Sequence, residues 1–244
     1  MEIRPFRALR FSPETIEKGG LAALFATARE PSAAVAPENA ALLLYPASSA
    51  ETLKAWIGNG ILVKERRPAL WAYRQTHESA GRTGVIDLLL ALARLTDDIE
   101  VPDDAPPTED RSKRVGWIAE TKADFEPSLL VTRAPLSAAL ASTRRPDLSA
   151  VDGRGVRHDV RRLPEYAQHV ELQGLVKNAE AGVVAGREAF EAAKQFSRGP
   201  AASRLPGARY KLCAIASEED WKDAERTIVV PAGLAGFSME DAVY

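Results

Sequence analysis

Residues 183–193 read Val-Val-Ala-Gly-Arg-Glu-Ala-Phe-Glu-Ala-Ala. The two β-branched residues favour a strand, the glycine marks a turn, and the run that follows has the composition of a helix. A strand-turn-helix unit exposes backbone N–H groups at the start of its helix, where an anion can bind. Chemistry at such a turn depends on its side chains. Here the turn carries Arg187 and Glu188 but no nucleophile, histidine or aspartate.

The segments around this unit predict strands and helices in an irregular alternation. Residues 3–11 alternate apolar and basic side chains, which predicts a strand with one buried face. Pro13 after Ser12 predicts the start of a helix, and residues 210–216 predict an apolar strand. Because hairpin signals are frequent and no regular βαβ rhythm appears, we expect an α+β fold (mixed α/β) of mixed sheets with flanking helices.

The domain organisation is predicted from length and from one loop near the middle of the chain. A length of 244 residues is enough for one large or two small domains. Residues 101–110 form a loop rich in proline and acidic residues. We expect an N-terminal α/β subdomain over residues 1–100 and a second α/β subdomain over residues 101–244, with one continuous domain as the alternative.

Composition and charge narrow the classes of partner. Charged residues make up 27% of the chain but nearly cancel to a net charge of −2, which argues against a general nucleic-acid binder. Cys213 is the single cysteine, so no intrachain disulfide can form and a reducing, cytoplasmic setting is expected. The apolar stretch from Val85 to Leu95 is too short to cross a bilayer, so no membrane partner is expected.

The residues that could bind a metal are scattered or have a simpler explanation. A cluster of acidic residues between positions 97 and 110 could bind a hard cation, but its spacing matches no EF-hand loop. Its prolines also disfavour a backbone that folds closely around a metal ion. The three histidines form no i, i+4 pair, and His158 is expected at the surface, either solvated or hydrogen-bonded. Cys213 lies in an apolar strand, which predicts burial. We therefore expect no metal site and no cofactor.

Several short segments follow one another in an order and at a spacing typical of one known family. They are Arg4–Arg10, Trp56–Leu62 at a glycine turn, Pro68–Tyr73, Glu109–Arg111 followed by Thr121–Pro127, and Gly155–His158. On these segments the chain resembles domain-of-unknown-function family 1015, which is found in bacteria and archaea. The resemblance covers most of residues 1–231.

Three signatures that are usual in that family are replaced in this chain. Members usually carry His-Glu-Arg-Thr after a proline, Asp-Gly-His-His-Arg-Tyr after a strand, and Pro-Thr-His-Arg further on. The matching residues here are Asp-Asp-Ala-Pro at 103–106, Ala-Gly-Arg-Glu-Ala-Phe at 185–190, and Ala-Gly-Leu at 232–234. The middle signature is similar to one in the ParB-like and free serine kinase superfamily, whose members handle nucleotide phosphates; that link is an analogy. The resemblance implies a relative that lacks the groups for proton transfer, phosphate binding and Mg²⁺ binding.

The first hypothesis is a noncatalytic, pseudoenzyme-like member of this family, with a binding or regulatory role and no catalytic residue. Its ligand site would include Gly186, Arg187 and Glu188, together with Asp103 and Asp104. The ligand would be a small phosphorylated metabolite or a nucleotide. The alternative explanation of the two charges in the turn is an exposed ion pair between Arg187 and Glu188.

The rival hypothesis is a Mg²⁺-dependent phosphotransferase or phosphohydrolase that acts on a small phosphorylated metabolite such as phosphoserine. Asp103 and Asp104 would then coordinate the metal, and Arg187 would hold a phosphate. A third hypothesis is a subunit whose activity lies in a separate full-length relative, and a homo-oligomer is the other assembly considered. Convergence of Asp103, Asp104 and Arg187 in one cleft would favour the enzyme, and scatter would disfavour it.

Overall fold

A computed structural model describes residues 1–19, 49–79, 82–102, 109–141, 144–151, 155–223 and 236–241. Within these ranges the helices are α1 (Pro13–Gly19), α2 (Ser49–Gly58), α3 (Glu109–Thr121), α4 (Ser137–Leu140), α5 (Tyr166–Lys177), α6 (Arg187–Ser197) and α7 (Glu218–Asp223). Two short 3-10 helices follow α6, at Pro200–Arg204 and Pro206–Arg209. None of the described helices has the length and apolar character needed to cross a bilayer.

The strands of the described residues form two sheets. They are β1 (Ile3–Arg4), β2 (Ala8–Phe11), β3 (Leu62–Lys64), β4 (Leu70–Ser79), β5 (Arg82–Arg94), β6 (Ile99–Glu100), β7 (Ala123–Asp124), β8 (Ser128–Thr132), β9 (Leu148–Val151), β10 (Arg157–Leu163), β11 (Ala181–Ala185), β12 (Tyr210–Ser217) and β13 (Gly236–Ser238). The large sheet has the order β6-β11-β8-β12-β5-β4-β10-β9, and β1 pairs with the far end of β5. The small sheet has the order β3-β2-β13-β7.

The pairing confirms the predicted α+β class with mixed sheets. In the large sheet β12 runs parallel to β8 and β11 runs parallel to β6, whereas β12 is antiparallel to β5 and β11 is antiparallel to β8. The small sheet is antiparallel throughout. Each sheet takes strands from both sides of residue 100. The division into two subdomains at that residue stays a prediction.

The central strands of the large sheet are buried on both faces. Alternate residues of the run Leu88–Ala93 enter two different hydrophobic clusters, and in β12 Leu212 enters the first cluster while Cys213 enters the second. Helix α6 contributes to both clusters, with Phe196 in the first and Phe190 in the second. A continuous apolar run is what a strand covered on both faces requires, since neither set of alternate side chains meets water.

A buried ion pair joins the two sheets. Lys211 belongs to β12 of the large sheet and Asp124 to β7 of the small sheet. The Lys211 ammonium donates to both carboxylate oxygens of Asp124, at 2.8 and 2.9 Å, and also to the backbone carbonyl of Glu126. The backbone N–H of Leu212 donates to the same carboxylate at 2.9 Å. Both charged side chains are almost fully buried, at 1% and 2% exposure, so each depends on the other for compensation.

Cys213 is expected to react slowly with thiol reagents in the native protein. The structure confirms its predicted burial, with no exposed surface, and burial raises the pKa of its thiol to about 12. The thiolate is the reactive form, and the raised pKa keeps its population small. Burial also keeps the reagent away from the sulfur atom. Labelling with a chromogenic disulfide reagent measures this, with denaturant-unfolded protein as the fully reactive control. Fast and complete labelling of the native protein would contradict the prediction.

Candidate functional site

The stretch at residues 183–193 forms the predicted strand-turn-helix unit. Strand β11 ends at Ala185 after an irregularity in its register with β8. Gly186 caps α6 in the left-handed conformation, with φ 70° and ψ 29°, and its carbonyl accepts the backbone N–H of Phe190 at 3.0 Å. The turn therefore places Arg187 and Glu188 in the first turn of α6, where the helix dipole is positive.

Close backbone contact explains why residue 186 is glycine. A Cβ atom at this position would lie 3.1 Å from the Cα of Ser128 and 3.2 Å from the carbonyl oxygen of Pro127. The Ser128 hydroxyl also donates to the Gly186 carbonyl at 3.0 Å. The positive φ and the short contacts both disfavour any residue with a Cβ. Gly186 thus has a structural role whether or not a ligand binds at the turn.

Glu188 pairs with a residue far away in the sequence. The guanidinium of Arg111 in α3 donates to both of its carboxylate oxygens, at 3.1 and 3.2 Å. Glu191, one turn further along α6, approaches the same guanidinium at 4.0 Å. The Arg111 side chain is 11% exposed and that of Glu188 is 24% exposed. The alternative explanation of the two charges, an exposed ion pair between Arg187 and Glu188, is therefore not what the described residues show, because α3 packs on α6 and supplies a better-placed cation.

A second bidentate pair lies beside the first. Arg114, three residues after Arg111 and on the same side of α3, donates to both carboxylate oxygens of Glu126 at 2.7 and 2.8 Å. The hydrogen bonds to Glu126 are the main cause that raises the pKa of Arg114, and burial acts against them. The two arginines of α3 thus hold the two carboxylates in place. Neither acid is positioned as an unengaged proton acceptor.

Arg187 differs from its neighbours. Its Nε atom is buried, and no acceptor for it lies among the residues that the structure describes. A buried donor without an acceptor is costly, and bound water, an ion or a ligand is the usual explanation. As the one cation within residues 183–190, placed in the first turn of α6, Arg187 is the residue of the turn best suited to contact an anionic ligand.

The other two residues of the predicted ligand site, Asp103 and Asp104, lie outside the described residues. Whether they approach Arg187 stays a prediction. The position of the third altered signature, at residues 232–234, also falls outside them. In the part of the chain that is described, no three His, Cys, Asp or Glu side chains lie together as ligands for a metal ion.

His158 is buried, and its predicted surface position is wrong. Its ring lies parallel to that of Tyr73, with centroids 6.0 Å apart and 5° between the planes. The Tyr73 hydroxyl and His158 Nδ1 form a hydrogen bond of 2.7 Å, and the Gln75 amide donates to the same hydroxyl at 2.5 Å. The signal for burial was the period of β10, in which His158 is in phase with the buried Val160.

The comparisons with known proteins identify one family. The family model described as "Protein of unknown function (DUF1015)" matches residues 3–221. The comparisons with curated proteins and with solved structures found no match. The matched region includes the Gly186 turn, both Arg–Glu pairs and the Lys211–Asp124 pair. Since the match covers most of its length, this chain belongs to the DUF1015 family of proteins of unknown function.

Proposed function

We propose that this chain is a binding or regulatory member of its family that catalyses no reaction at the Gly186 turn. The observation that carries the proposal is the engagement of Glu188. It is the only titratable acid within residues 183–190, and both of its carboxylate oxygens accept from Arg111. A general base must reach the proton that it removes, and phosphoryl transfer needs positive charge and usually a metal around the phosphates. The Arg111–Glu188 pair provides neither a free general base nor net positive charge.

Arg187 supports the binding part of the proposal. Arg187 is partly exposed, so the terminal N–H groups of its guanidinium can donate to an oxyanion, and its place in the first turn of α6 adds the positive end of the helix dipole. A small phosphorylated metabolite or a nucleotide would satisfy these donors through a phosphate oxygen. Gly186 and Glu188 would then shape the site, with Gly186 allowing the close approach of the backbone. The proposed setting is cytoplasmic, and the proposed ligand is neither a nucleic acid nor a lipid.

The proposal is tested by assaying phosphate transfer to free serine or to water, with ATP or ADP and Mg²⁺ present. The natural protein is compared with Arg187→Ala and with Asp103→Ala. We expect phosphate release at the level of the buffer control in all three samples, because no described side chain of the turn is placed to move a proton. Turnover that either substitution abolishes would overturn the noncatalytic proposal and establish a phosphotransferase or phosphohydrolase.

Binding through Arg187 is measured separately, by thermal shift with phosphoserine and ADP as probes. We expect a shift in the natural protein that Arg187→Gln removes. The matched control is Arg133→Gln, which deletes one positive charge from an arginine whose side chain is 69% exposed and which lies beyond the end of β8. Equal shifts in both variants would contradict a ligand contact for Arg187.

A further inference from the structure

A basic cavity lies at the end of α6 away from Gly186. Its volume is about 960 Å³, and its walls come from β1, the end of β5, the end of α6 and both 3-10 helices. The eleven residues of α6 separate it from the Gly186 turn by about 16 Å at 1.5 Å per residue. Among the described residues that line it are five arginines and a single acid, Glu2. The arginines are Arg4, Arg94, Arg198, Arg204 and Arg209.

Glu2 neutralises only part of this positive charge. Arg4 donates to one of its carboxylate oxygens at 2.9 Å, and Arg94 donates to the other at 2.9 Å. Burial works to raise the pKa of Glu2, but the hydrogen bonds from Arg94 and Arg4 outweigh it and the pKa is lowered. The acid is therefore ionised at neutral pH. One carboxylate shared between two guanidinium groups leaves one positive charge on this wall.

The lining residues from the end of α6 and from the two 3-10 helices carry positive charge with less compensation. Arg198 is 68% exposed and lies 3.6 Å from Asp97, whose carboxylate also accepts a 2.7 Å contact from Lys194. Arg204 and Arg209 each lie at the end of a 3-10 helix, and neither forms an ion pair with any described residue. Proline begins both of these short helices, which limits the conformations open to the segment. The cavity thus presents several guanidinium groups from a constrained backbone.

We propose that this cavity binds a small anion that carries two or more negative charges on phosphate groups. Guanidinium forks match phosphate oxygens in pairs, and several of them around one concavity select for multiple charge. A cavity of this volume also has room for a ligand of metabolite size. The inference goes beyond the proposed function, because it concerns a second site at the other end of α6. It holds whether or not the Gly186 turn is catalytic.

The structure offers a control cavity. A smaller cavity, of about 380 Å³, is lined by Arg144, Arg161 and Arg162 together with Glu165 and Glu171. Three arginines and two glutamates give this smaller cavity a small excess of positive charge. Arg144 is already paired with Glu165 at 3.0 Å. Removing two arginines here changes the net charge of the protein as much as removing two from the larger cavity.

The experiment titrates inorganic tripolyphosphate into the protein and measures heat, at low and at physiological ionic strength. It compares the natural chain, the double variant Arg204→Gln with Arg209→Gln, and the control double variant Arg144→Gln with Arg161→Gln. We expect the first double variant to weaken binding by about tenfold or more, because each charged hydrogen bond to phosphate is worth more than a neutral one. The control is expected to change affinity by about twofold or less, since exposed distant charges are screened. Unchanged circular dichroism and melting temperature exclude unfolding as the cause.

Three results would overturn the inference. The first is no measurable heat from tripolyphosphate in the natural protein at low salt. The second is equal weakening in both double variants, which would show a general effect of net charge. The third comes from a competition arm with a single-stranded oligonucleotide: tighter binding of the oligonucleotide, lost with Arg204 and Arg209, would assign the cavity to nucleic acid. We expect the oligonucleotide to leave tripolyphosphate binding unchanged.

Discussion

Replacing Lys211 with methionine is expected to lower the free energy of unfolding by about 3–5 kcal/mol, because it leaves a buried carboxylate without its cation. The Asp124 side chain is 2% exposed, and its charge is compensated by the ammonium at 2.8 and 2.9 Å. Methionine fills a similar volume, so the loss reports on charge rather than on a cavity. Denaturation in urea, followed by tryptophan fluorescence and circular dichroism, measures the change.

A double variant separates the charge effect from any general damage at this junction. Lys211→Met combined with Asp124→Asn removes both charges, while the asparagine oxygen can still accept from the Leu212 backbone N–H, which now donates at 2.9 Å. Since removing both charges leaves no uncompensated buried ion, we expect the double variant to recover part of the lost stability, while the Glu126 backbone N–H, which donates to the other Asp124 oxygen at 3.2 Å, loses its acceptor. The interpretation is wrong if the double variant is as unstable as the single one, or if the single one is close to the natural protein.

The second large effect is expected at Gly186. Valine at this position is expected to lower the free energy of unfolding by about 2–5 kcal/mol. Two effects add up to this loss: the strain of a left-handed backbone at a residue other than glycine, and the overpacking caused by the new side chain. The φ of 70° disfavours β-branched residues most, and the new side chain would press on the backbone of Pro127 and Ser128. Backbone atoms cannot move aside to relieve such a contact, whereas the end of a long side chain can. Guanidinium denaturation measures the loss.

Gly174 provides the matched control for that substitution. It lies within α5, is exposed, and has no atom within 4 Å of the position where its Cβ would lie. Gly174→Val is expected to change stability by no more than about 0.5 kcal/mol, since no contact or special conformation is involved. Similar losses of stability at both positions would show that the left-handed turn does not require glycine.

Local sequence patterns predicted those features that depend on residues close together in the chain. The β-branched pair, the glycine and the helix-forming run at residues 183–193 specify the strand, the left-handed turn and α6 in order. The continuous apolar run of β12 placed Cys213 in the core. Alternation in β10 would have placed His158 inside, and the polar neighbours Arg157 and Asp159 led to the wrong prediction. Over residues 157–160 the period of the strand is thus a better guide to burial than the polarity of the residue itself.

Charge partners could not be predicted, because they are set by which elements pack together. Glu188 has Arg187 beside it in the sequence but pairs with Arg111, which α3 carries into place. Lys211 lies within an apolar strand, and no nearby residue in the sequence predicts that Asp124 is its partner. An ion pair forms where two charged groups are held close and desolvated together, and strand order and helix packing decide that distance.

The sequence by itself determined the α+β class, the Gly186 turn, the burial of Cys213 and the relation to the DUF1015 family, since each depends on short-range pattern or on the order of segments along the chain. Only the tertiary structure decided how the charges are used. It joined Lys211 to Asp124 across two sheets. It also gathered five arginines from three separate parts of the chain around one cavity. Electrostatic energy depends on distance in space and on exclusion of water, and neither can be read from separation along the chain.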